Sequence, residues 1–296
     1  MAWPVARARA IDSNEVIALW PDSPPGGGGP RGAVATDRKG AVSNVASPCI
    51  EVFLPRRPTG SAVLVAAGGG YKRIEMQSEA DPAAGWLNDR GIAAFVLRYR
   101  LPVEGWNDGA IVSLQDAQRA LRLMRARAGR YGFDSDLVGA LGFSAGGHLM
   151  GLLSTGFGDP SYAAIDDVDA LAARPAATAL IYPVISLEPP YDKTSTRRSL
   201  TGAHPDRAAE AAWSVDTHVR QGCPAMFLVQ AEDDPISNPE NTRLMAAACQ
   251  QANVPVEMHR FATGGHGFGM GKPGTPTTEW PAFYEAWLRE RGFIGR

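Results

Sequence analysis

The feature that most constrains this chain is a regular alternation between short apolar runs and longer amphipathic runs. Runs such as SAVLVAAGGG and DLVGALGF are apolar on both faces, which is typical of strands buried in a parallel sheet. In the run from 111 to 132 the apolar side chains recur at helical spacing, at Ile111, Leu114, Ala117, Leu121 and Met124. The pattern predicts an α/β protein with a mostly parallel central sheet and helices on both faces.

No repeat and no linker divides this pattern, so we predict a single domain over residues 1–296. Residues 1–45 are interpreted as an irregular N-terminal arm, because the stretch from 19 to 45 is rich in Gly and Pro and shows no period. Residues 185–220 are polar, contain Pro and are less regular. We expect them to form a cap-like insertion above the sheet.

Charge and composition exclude several classes of protein. The formal net charge is -2 and the basic residues are scattered, which argues against nucleic-acid binding. No apolar run approaches the roughly 20 residues that a membrane span needs. The N-terminus has no apolar signal region, and the three cysteines have no metal or disulfide spacing. We therefore expect free thiols and a cytoplasmic location, with an export signal removed before residue 1 as the alternative.

The stretch DLVGALGFSAGGHLMG, residues 136–151, places one serine in a Gly-rich turn. Gly142, Ser144 and Gly146 fit G-x-S-x-G, in which a sharp strand-to-helix turn lifts a nucleophilic serine above the sheet edge. The two glycines remove Cβ atoms where strand and helix crowd each other. A helix starting at Ala145 would direct its free N–H groups toward an anion. A predicted strand before the motif and a helix after it supply the context that the motif requires.

Three other interpretations of this turn compete. A dinucleotide-binding fingerprint needs a glycine where Ser144 stands. A phosphate-binding Walker loop needs G-K-S or G-K-T, which neither Gly-rich loop contains. The third is a tight turn with an incidental serine, because G-x-S-x-G occurs by chance in many proteins. The pentapeptide alone leaves the choice open, and the partners of the serine have to decide it.

A serine hydroxyl becomes a nucleophile when a base takes its proton and an acid orients that base. Two apolar runs after Ser144 end in loops that would lie at the carboxyl edge of the sheet, where ligands bind in open α/β folds. The first loop presents Asp233 and Asp234, and the second presents His266 between two glycines. The chain order is therefore serine, acid, histidine. The residues alone do not separate Asp233 from Asp234, and helix-capping acids are an alternative for both.

The other four histidines are interpreted as structural. His148 is near the serine in sequence, but four residues along a helix it should point down beside the sheet. His259 lies inside a predicted strand, and His204 and His218 fall in the polar insertion. Only His266 follows a late strand in a loop.

A glycine run directly after a buried strand predicts backbone donors for a developing oxyanion. Gly68, Gly69 and Gly70 follow VLVAA, and the missing Cβ atoms let the backbone approach a carbonyl group closely. Gly69 or Gly70 would supply one N–H group, and Ala145 the other. A plain tight turn is the alternative. Nucleophile, acid, base and donors in the right order at strand ends argue against chance.

From about residue 48 to 270 the chain resembles α/β-hydrolases of the small esterase group that includes acetyl-xylan-esterase-like and feruloyl-esterase-like enzymes. The resemblance rests on GGGY, FVLRYRLP, LQDAQRALRLMRARA, GFSAGGHL, LIYPVIS, AEDDPIS and GGHGFG. It implies an α/β-hydrolase fold, and it aligns Asp234 rather than Asp233 with the acid of the family. It also implies that Glu79 braces the Gly-rich loop. Ala67 replaces the first histidine of the lipase-type H-G-G-G, which weakens any transfer of substrate preference.

The combined prediction is a serine carboxylesterase with Ser144, Asp234 and His266 as its triad, forming an acyl-serine. Short-chain acyl esters, with acetyl groups on carbohydrate, are implied by the resemblance. Three loop aromatics are expected to line the substrate pocket: Tyr71, Trp106 and Tyr191.

The alternatives are a peptidase or acyltransferase with the same triad, and a non-catalytic binding protein on a hydrolase scaffold. Such a binding protein would normally have lost a triad member, and none is missing here. The expected partner is a small-molecule ester, and no metal or organic cofactor is implied. The sequence leaves the oligomeric state open.

Overall fold

The computed structural model describes residues 15–156 and 158–295, so residues 1–14 of the predicted arm lie outside the described residues. Short strands alternate with helices along the described chain. The strands are β1 (Glu15–Ala18), β2 (Ala35–Thr36), β3 (Val42–Ser43), β4 (Cys49–Phe53), β5 (Ala62–Ala66), β6 (Ala93–Arg98), β7 (Val138–Phe143), β8 (Ala177–Ile181), β9 (Ala225–Ala231) and β10 (Val256–Phe261). The helices are α1 (Asp81–Asp89), α2 (Val112–Ala126), α3 (Ala128–Tyr131), α4 (Ser144–Thr155), α5 (Ser195–Thr201), α6 (Arg207–Ala212), α7 (Glu240–Gln251) and α8 (Trp280–Glu290).

Eight strands form one central sheet in the order β1-β4-β6-β5-β7-β8-β9-β10. The six strands from β6 to β10 in this order pair in parallel, and β4 and β1 add two antiparallel strands at one edge. Strands β4, β5, β7 and β8 are buried throughout, which explains why their sequences are apolar on both faces. The prediction of a mostly parallel α/β sheet is confirmed.

Helices cover both faces of the sheet, as predicted. Helices α1 and α8 contact the sheet and each other: Trp86 stacks on Tyr284 at 5.5 Å, and Arg90 pairs with Glu285 at 2.7 Å. On the opposite face α4 contacts β7, β8 and α2. A short helical turn at Val215–His218 packs against both α4 and α7. The parallel strands therefore direct all their carboxyl ends to one edge, where their following loops meet.

The N-terminal segment is less irregular than predicted. Glu15–Ala18 pairs antiparallel with β4 and forms an edge strand of the main sheet, so the prediction of an irregular arm is wrong for these residues. Only Ile17 of the strand is buried, and four residues with one buried position are too short to show a strand period. Beyond β1, Trp20 is buried and its indole N–H donates to Asp116 of α2 at 2.8 Å.

A single π-helical turn precedes the first large helix of the chain. Residues Met76–Ala80 form one π-helical turn before α1 begins at Asp81, with Pro82 in its first turn. This turn begins six residues after Gly70 of the Gly-rich loop, and the side chain of Glu79 within it is buried.

Candidate active site

The serine turn has the geometry that the G-x-S-x-G motif demands. Ser144 follows β7 directly, opens α4, and has a φ of +51°, a left-handed conformation that is rare for a residue with a side chain. A Cβ atom added to Gly142 would lie 2.3 Å from the carbonyl oxygen of Gly146, and one added to Gly146 would lie 2.1 Å from that of Ala66. Both motif glycines are therefore required by the close approach of strand and helix.

Three side chains from three loops form one hydrogen-bonded chain. The Oγ atom of Ser144 lies 2.8 Å from Nε2 of His266, and Nδ1 of His266 lies 2.8 Å from Oδ2 of Asp234. A carboxylate only accepts, so Nδ1 of His266 carries the proton and Nε2 accepts from the serine hydroxyl. The structure therefore brings together the three residues that the sequence analysis predicts as a triad, in the order that base catalysis needs.

The two neighbouring aspartates have different partners. The side chain of Asp234 is buried, and it accepts hydrogen bonds from the N–H groups of Ile236 and Ser237 as well as from His266. Asp233 is exposed and accepts from the N–H of Gly265 at 2.7 Å. Asp234 is thus the carboxylate that touches the imidazole, whereas Asp233 holds the loop that carries it.

The Gly-rich loop places backbone donors next to the serine. Gly69 and Gly70 have φ values of +119° and +65°, which favour glycine. Within the described part of the chain, the N–H groups of both glycines have no hydrogen-bond acceptor. Ala145 lies in the first turn of α4, whose N–H groups the helix itself leaves unpaired. Their role as donors to an oxyanion stays a prediction.

Glu79 holds the start of this loop, as the resemblance implies. Its Oε2 atom accepts from the N–H of Gly68 at 2.6 Å, and its Oε1 atom accepts from the hydroxyl of Tyr182 at 2.9 Å. Burial raises the pKa of this carboxyl to about 7, against the lowering effect of the two hydrogen bonds and of the nearby His266. A Cβ atom on Gly68 would lie 2.7 Å from that of Ser144, so this brace lies beside the nucleophile.

Helix α5, which lies within the predicted insertion, contacts the same loop. The hydroxyl of Ser199 donates to the carbonyl oxygen of Gly70 at 2.9 Å. A Cβ atom on Gly70 would lie 2.0 Å from Oγ of Ser195. The insertion therefore encloses one of the predicted oxyanion donors, and only glycine fits at that position.

Two of the three predicted pocket aromatics are buried against other partners, so that prediction is wrong for their side chains. Tyr71 is 1% exposed and bonds His148, and Trp106 is covered by Gly29 and by the Arg100 guanidinium 5.0 Å from its ring. Both residues lie in loops, which is why the sequence predicts exposed rings. Their rings are instead covered by His148 and by the segment around Gly29. Tyr191 is half-buried, and its role in the pocket stays a prediction.

His148 is structural, as predicted. It is fully buried on α4, and its Nε2 atom lies 2.7 Å from the carbonyl oxygen of Trp213, to which it donates. Its Nδ1 atom then accepts from the hydroxyl of Tyr71 at 2.9 Å. Burial lowers the pKa of His148 to about 4, so this imidazole stays neutral in the physiological range.

Tyr182 is the site residue that sequence reasoning missed. It follows β8 directly, at the same sheet edge as the triad loops, and it bonds Glu79. The only signal was its position after a late buried strand, within the LIYPVIS segment of the resemblance. A tyrosine at a strand end is not distinguished by sequence from a core residue, because its ring is apolar and its hydroxyl carries no charge.

The described residues show neither a metal-binding cluster nor a membrane-spanning helix. Among residues 15–156 and 158–295, no three His, Cys, Asp or Glu side chains are grouped so as to hold a metal ion. None of the helices described for this chain has the length and apolar character that a bilayer span requires.

Among curated proteins the chain is similar to an acetylxylan esterase and to an endo-1,4-β-xylanase. It is 28% identical over 244 residues to the acetylxylan esterase of Xylanibacter ruminicola, covering 81% of this chain and 46% of that protein. It is 33% identical over 210 residues to endo-1,4-β-xylanase B of Butyrivibrio fibrisolvens, covering 69% of this chain and 32% of that protein. The chain thus spans less than half the length of these relatives.

Solved structures match almost the whole chain. The acetyl ester-xyloside bifunctional hydrolase of Caldicellulosiruptor lactoaceticus superimposes with a TM-score of 0.81 at 32% identity, covering 96% of this chain and 99% of that one. The propionate-bound esterase Est2 of Thermogutta terrifontis gives a TM-score of 0.71 at 25% identity, covering 92% and 97%. The fold is that of the α/β-hydrolase esterases. A family model described as BD-FAE matches residues 50–249, and with these structural relatives it shows that the chain belongs to the BD-FAE family of esterase-like α/β-hydrolases.

Proposed function

We propose that this protein is a serine carboxylesterase that hydrolyses short-chain acyl esters through an acyl-serine intermediate. The observation that carries the proposal is the continuous hydrogen-bonded chain from Ser144 through His266 to Asp234, with 2.8 Å at both steps. In it a hydroxyl, a neutral imidazole and a buried carboxylate each have the partner that acyl transfer requires.

The first half of the reaction transfers the acyl group to the enzyme. Oγ of Ser144 attacks the ester carbonyl carbon while Nε2 of His266 takes the hydroxyl proton. Asp234 holds the imidazole in place and stabilises the imidazolium that forms. The tetrahedral intermediate then collapses: its bond to the alcohol oxygen breaks, and His266 returns the proton to the leaving alcohol.

The second half releases the acid. His266 takes a proton from a water molecule, which attacks the acyl-serine. The second tetrahedral intermediate then collapses: the bond between the acyl carbon and Oγ of Ser144 breaks, His266 returns the proton to Oγ, and the carboxylic acid is released. In both halves the oxyanion would accept from the N–H of Ala145 and from that of Gly69 or Gly70. Each such donor lowers the barrier by about 3 to 4 kcal/mol in comparable sites.

For the substrate we propose acetyl and other short acyl groups on a carbohydrate alcohol. The relatives named acetylxylan esterase and acetyl ester-xyloside hydrolase support this choice. Helix α5 supports a short acyl chain, because Ser195 and Ser199 lie close against Gly70 and limit the space beside that donor. A small-molecule ester is the expected partner. Three buried cysteines, all free, favour a reducing, cytoplasmic location.

The test is turnover of a p-nitrophenyl ester series from acetate to octanoate, followed by acetylated xylo-oligosaccharides. We expect hydrolysis that is fastest with acetate. Ser144→Ala should lower kcat by at least about 10⁴-fold, because the nucleophile is lost while binding remains. Ser154→Ala is the matched control on the same helix: its hydroxyl bonds Met150 and Thr178, away from the triad, and its kcat should stay near wild type.

Equal rates for the wild type and Ser144→Ala would refute the esterase proposal. Esterase activity that favours octanoate over acetate would keep the reaction and overturn the proposed substrate class.

A further inference from the structure

Tyr182 occupies an unusual position that the reaction as written does not use. It is fully buried, yet its φ is +38°, a left-handed value that costs a bulky residue about 1 to 3 kcal/mol. Its N–H still donates to the carbonyl oxygen of Val229 at 2.7 Å, so it extends the hydrogen bonding between β8 and β9. The strained backbone turns its side chain toward the loops of the triad.

The hydroxyl of Tyr182 joins two of these loops. It accepts from the N–H of Gly269 at 3.0 Å, three residues after His266. An N–H group can only donate, so the tyrosine's own proton points to Oε1 of Glu79 at 2.9 Å. The other oxygen of Glu79 accepts from Gly68, at the start of the loop with the proposed oxyanion donors. One phenol thus ties the histidine loop to the oxyanion loop.

The ring of Tyr182 supports the base itself. Its centroid lies 4.9 Å from that of His266 at an angle of 64°, and 4.3 Å from that of Phe268 at 75°. Edge-to-face contacts of this kind fix ring orientation. The charged groups that act on this part of the site are Asp234, which bonds His266, and Glu79, beside which Glu75 adds a second negative charge.

We propose that Tyr182 is a positioning residue that holds His266 in register with the oxyanion donors, and this rests on the proposed function. It acts through His266 and Glu79. Because the imidazolium and the oxyanion coexist only near the transition state, a small loss of register between the two loops affects kcat more than KM. The hydroxyl also donates to Glu79, and so keeps a negative charge near the imidazole.

The test is Tyr182→Phe, which removes one oxygen and keeps the ring. We expect kcat for p-nitrophenyl acetate to fall about 10- to 100-fold with KM within about twofold of wild type. Loss of the donor raises the pKa of Glu79, so less negative charge faces the imidazole. The NMR signal of the His266 Nδ1 proton, which reports the hydrogen bond to Asp234, should therefore shift relative to wild type. Tyr131→Phe is the matched control, since its hydroxyl also bonds a carboxylate, that of Glu15, at 2.9 Å.

A Tyr182→Phe protein with wild-type kcat and an unchanged signal from the His266 Nδ1 proton would overturn the proposal. If that variant does not fold, Glu79→Gln removes the charge from the same bridge and should lower kcat and shift the same signal. The NMR measurement needs no turnover. Should the wild type fail to hydrolyse any ester, the esterase proposal falls, while the Nδ1 proton signal still decides the role of Tyr182.

Discussion

Two buried carboxylates in this protein, Asp116 and Glu79, have opposite surroundings. Asp116 lies beneath the N-terminal segment and is fully buried against Arg100, whose guanidinium approaches it to 2.9 Å, with further bonds from the Arg100 N–H and the Trp20 indole. Glu79, at the carboxyl edge of the sheet, has two neutral donors, Gly68 and Tyr182. Burial raises the pKa of Glu79, its two hydrogen bonds and the nearby His266 lower it, and Glu75 adds a smaller raising effect.

The difference separates a structural carboxylate from a functional one. An ion pair such as Arg100–Asp116 cancels its charge locally and ties the segment after β1 to α2. A buried carboxylate with neutral partners is not compensated by a cation, so its negative charge acts on nearby groups. Burial raises its pKa toward neutral pH, as it does for Glu79. Glu79 is a carboxylate of this second kind. It bonds Gly68 of the Gly-rich loop directly, and through Tyr182 it is linked to Gly269 of the histidine loop.

The largest expected effect is on turnover, at Asp234. Asp234→Asn should lower kcat about 10⁴-fold with little loss of stability, because an amide favours the wrong tautomer of His266. Asp233→Asn is the neighbouring control and should cost less than about tenfold, since Asp233 bonds only the backbone of Gly265. Steady-state kinetics with p-nitrophenyl acetate measures both. Similar losses for the two variants would mean that the aspartates share the role.

A smaller effect, on stability alone, is expected at Asp116. Asp116→Ala leaves the Arg100 guanidinium buried without its counter-charge and should lower the free energy of unfolding by about 3 to 5 kcal/mol. Below the unfolding transition, kcat should remain near wild type. Asp136→Ala is the control, because its pair with Arg125 is exposed and worth about 0 to 1 kcal/mol. Urea unfolding measures the free energy of unfolding of both variants. A large loss of kcat in folded Asp116→Ala would show that Asp116, like Glu79, acts on the active site, and would contradict the comparison.

The smallest expected effect is a pH slope from Glu79. Its pKa is about 7 when folded and 4.5 ordinarily, so between these values the folded state binds more protons than the unfolded state. The free energy of unfolding should therefore fall as pH rises from 4.5 to about 7, by about 3 kcal/mol from this group. Glu79→Gln should lose this slope in urea unfolding between pH 5 and 8. Glu75→Gln, at a half-buried position, should keep it; parallel curves for wild type and Glu79→Gln would contradict the assignment.

Much of the architecture could be predicted because the faces of strands and helices that are buried carry apolar residues at regular spacing in the sequence. Strands buried on both faces appear in the sequence as continuous apolar runs. The turn at Ser144 is recognisable because it needs glycine at Gly142 and Gly146, where a Cβ atom would clash with the backbone. The same reasoning misses β1, which has one buried position, and the π-helical turn before α1, because neither leaves a period to detect.

The order of the predicted chemistry could be read from the chain alone: a candidate nucleophile, acid and histidine, each after a strand of the parallel sheet. Tertiary structure decided their contacts. Asp234 rather than Asp233 reaches the imidazole, Tyr71 turns into the core, and Tyr182 joins Glu79 to the histidine loop. The physical reason is that a side chain's partners depend on its direction and on distant loops, which residue type and spacing along one strand do not specify.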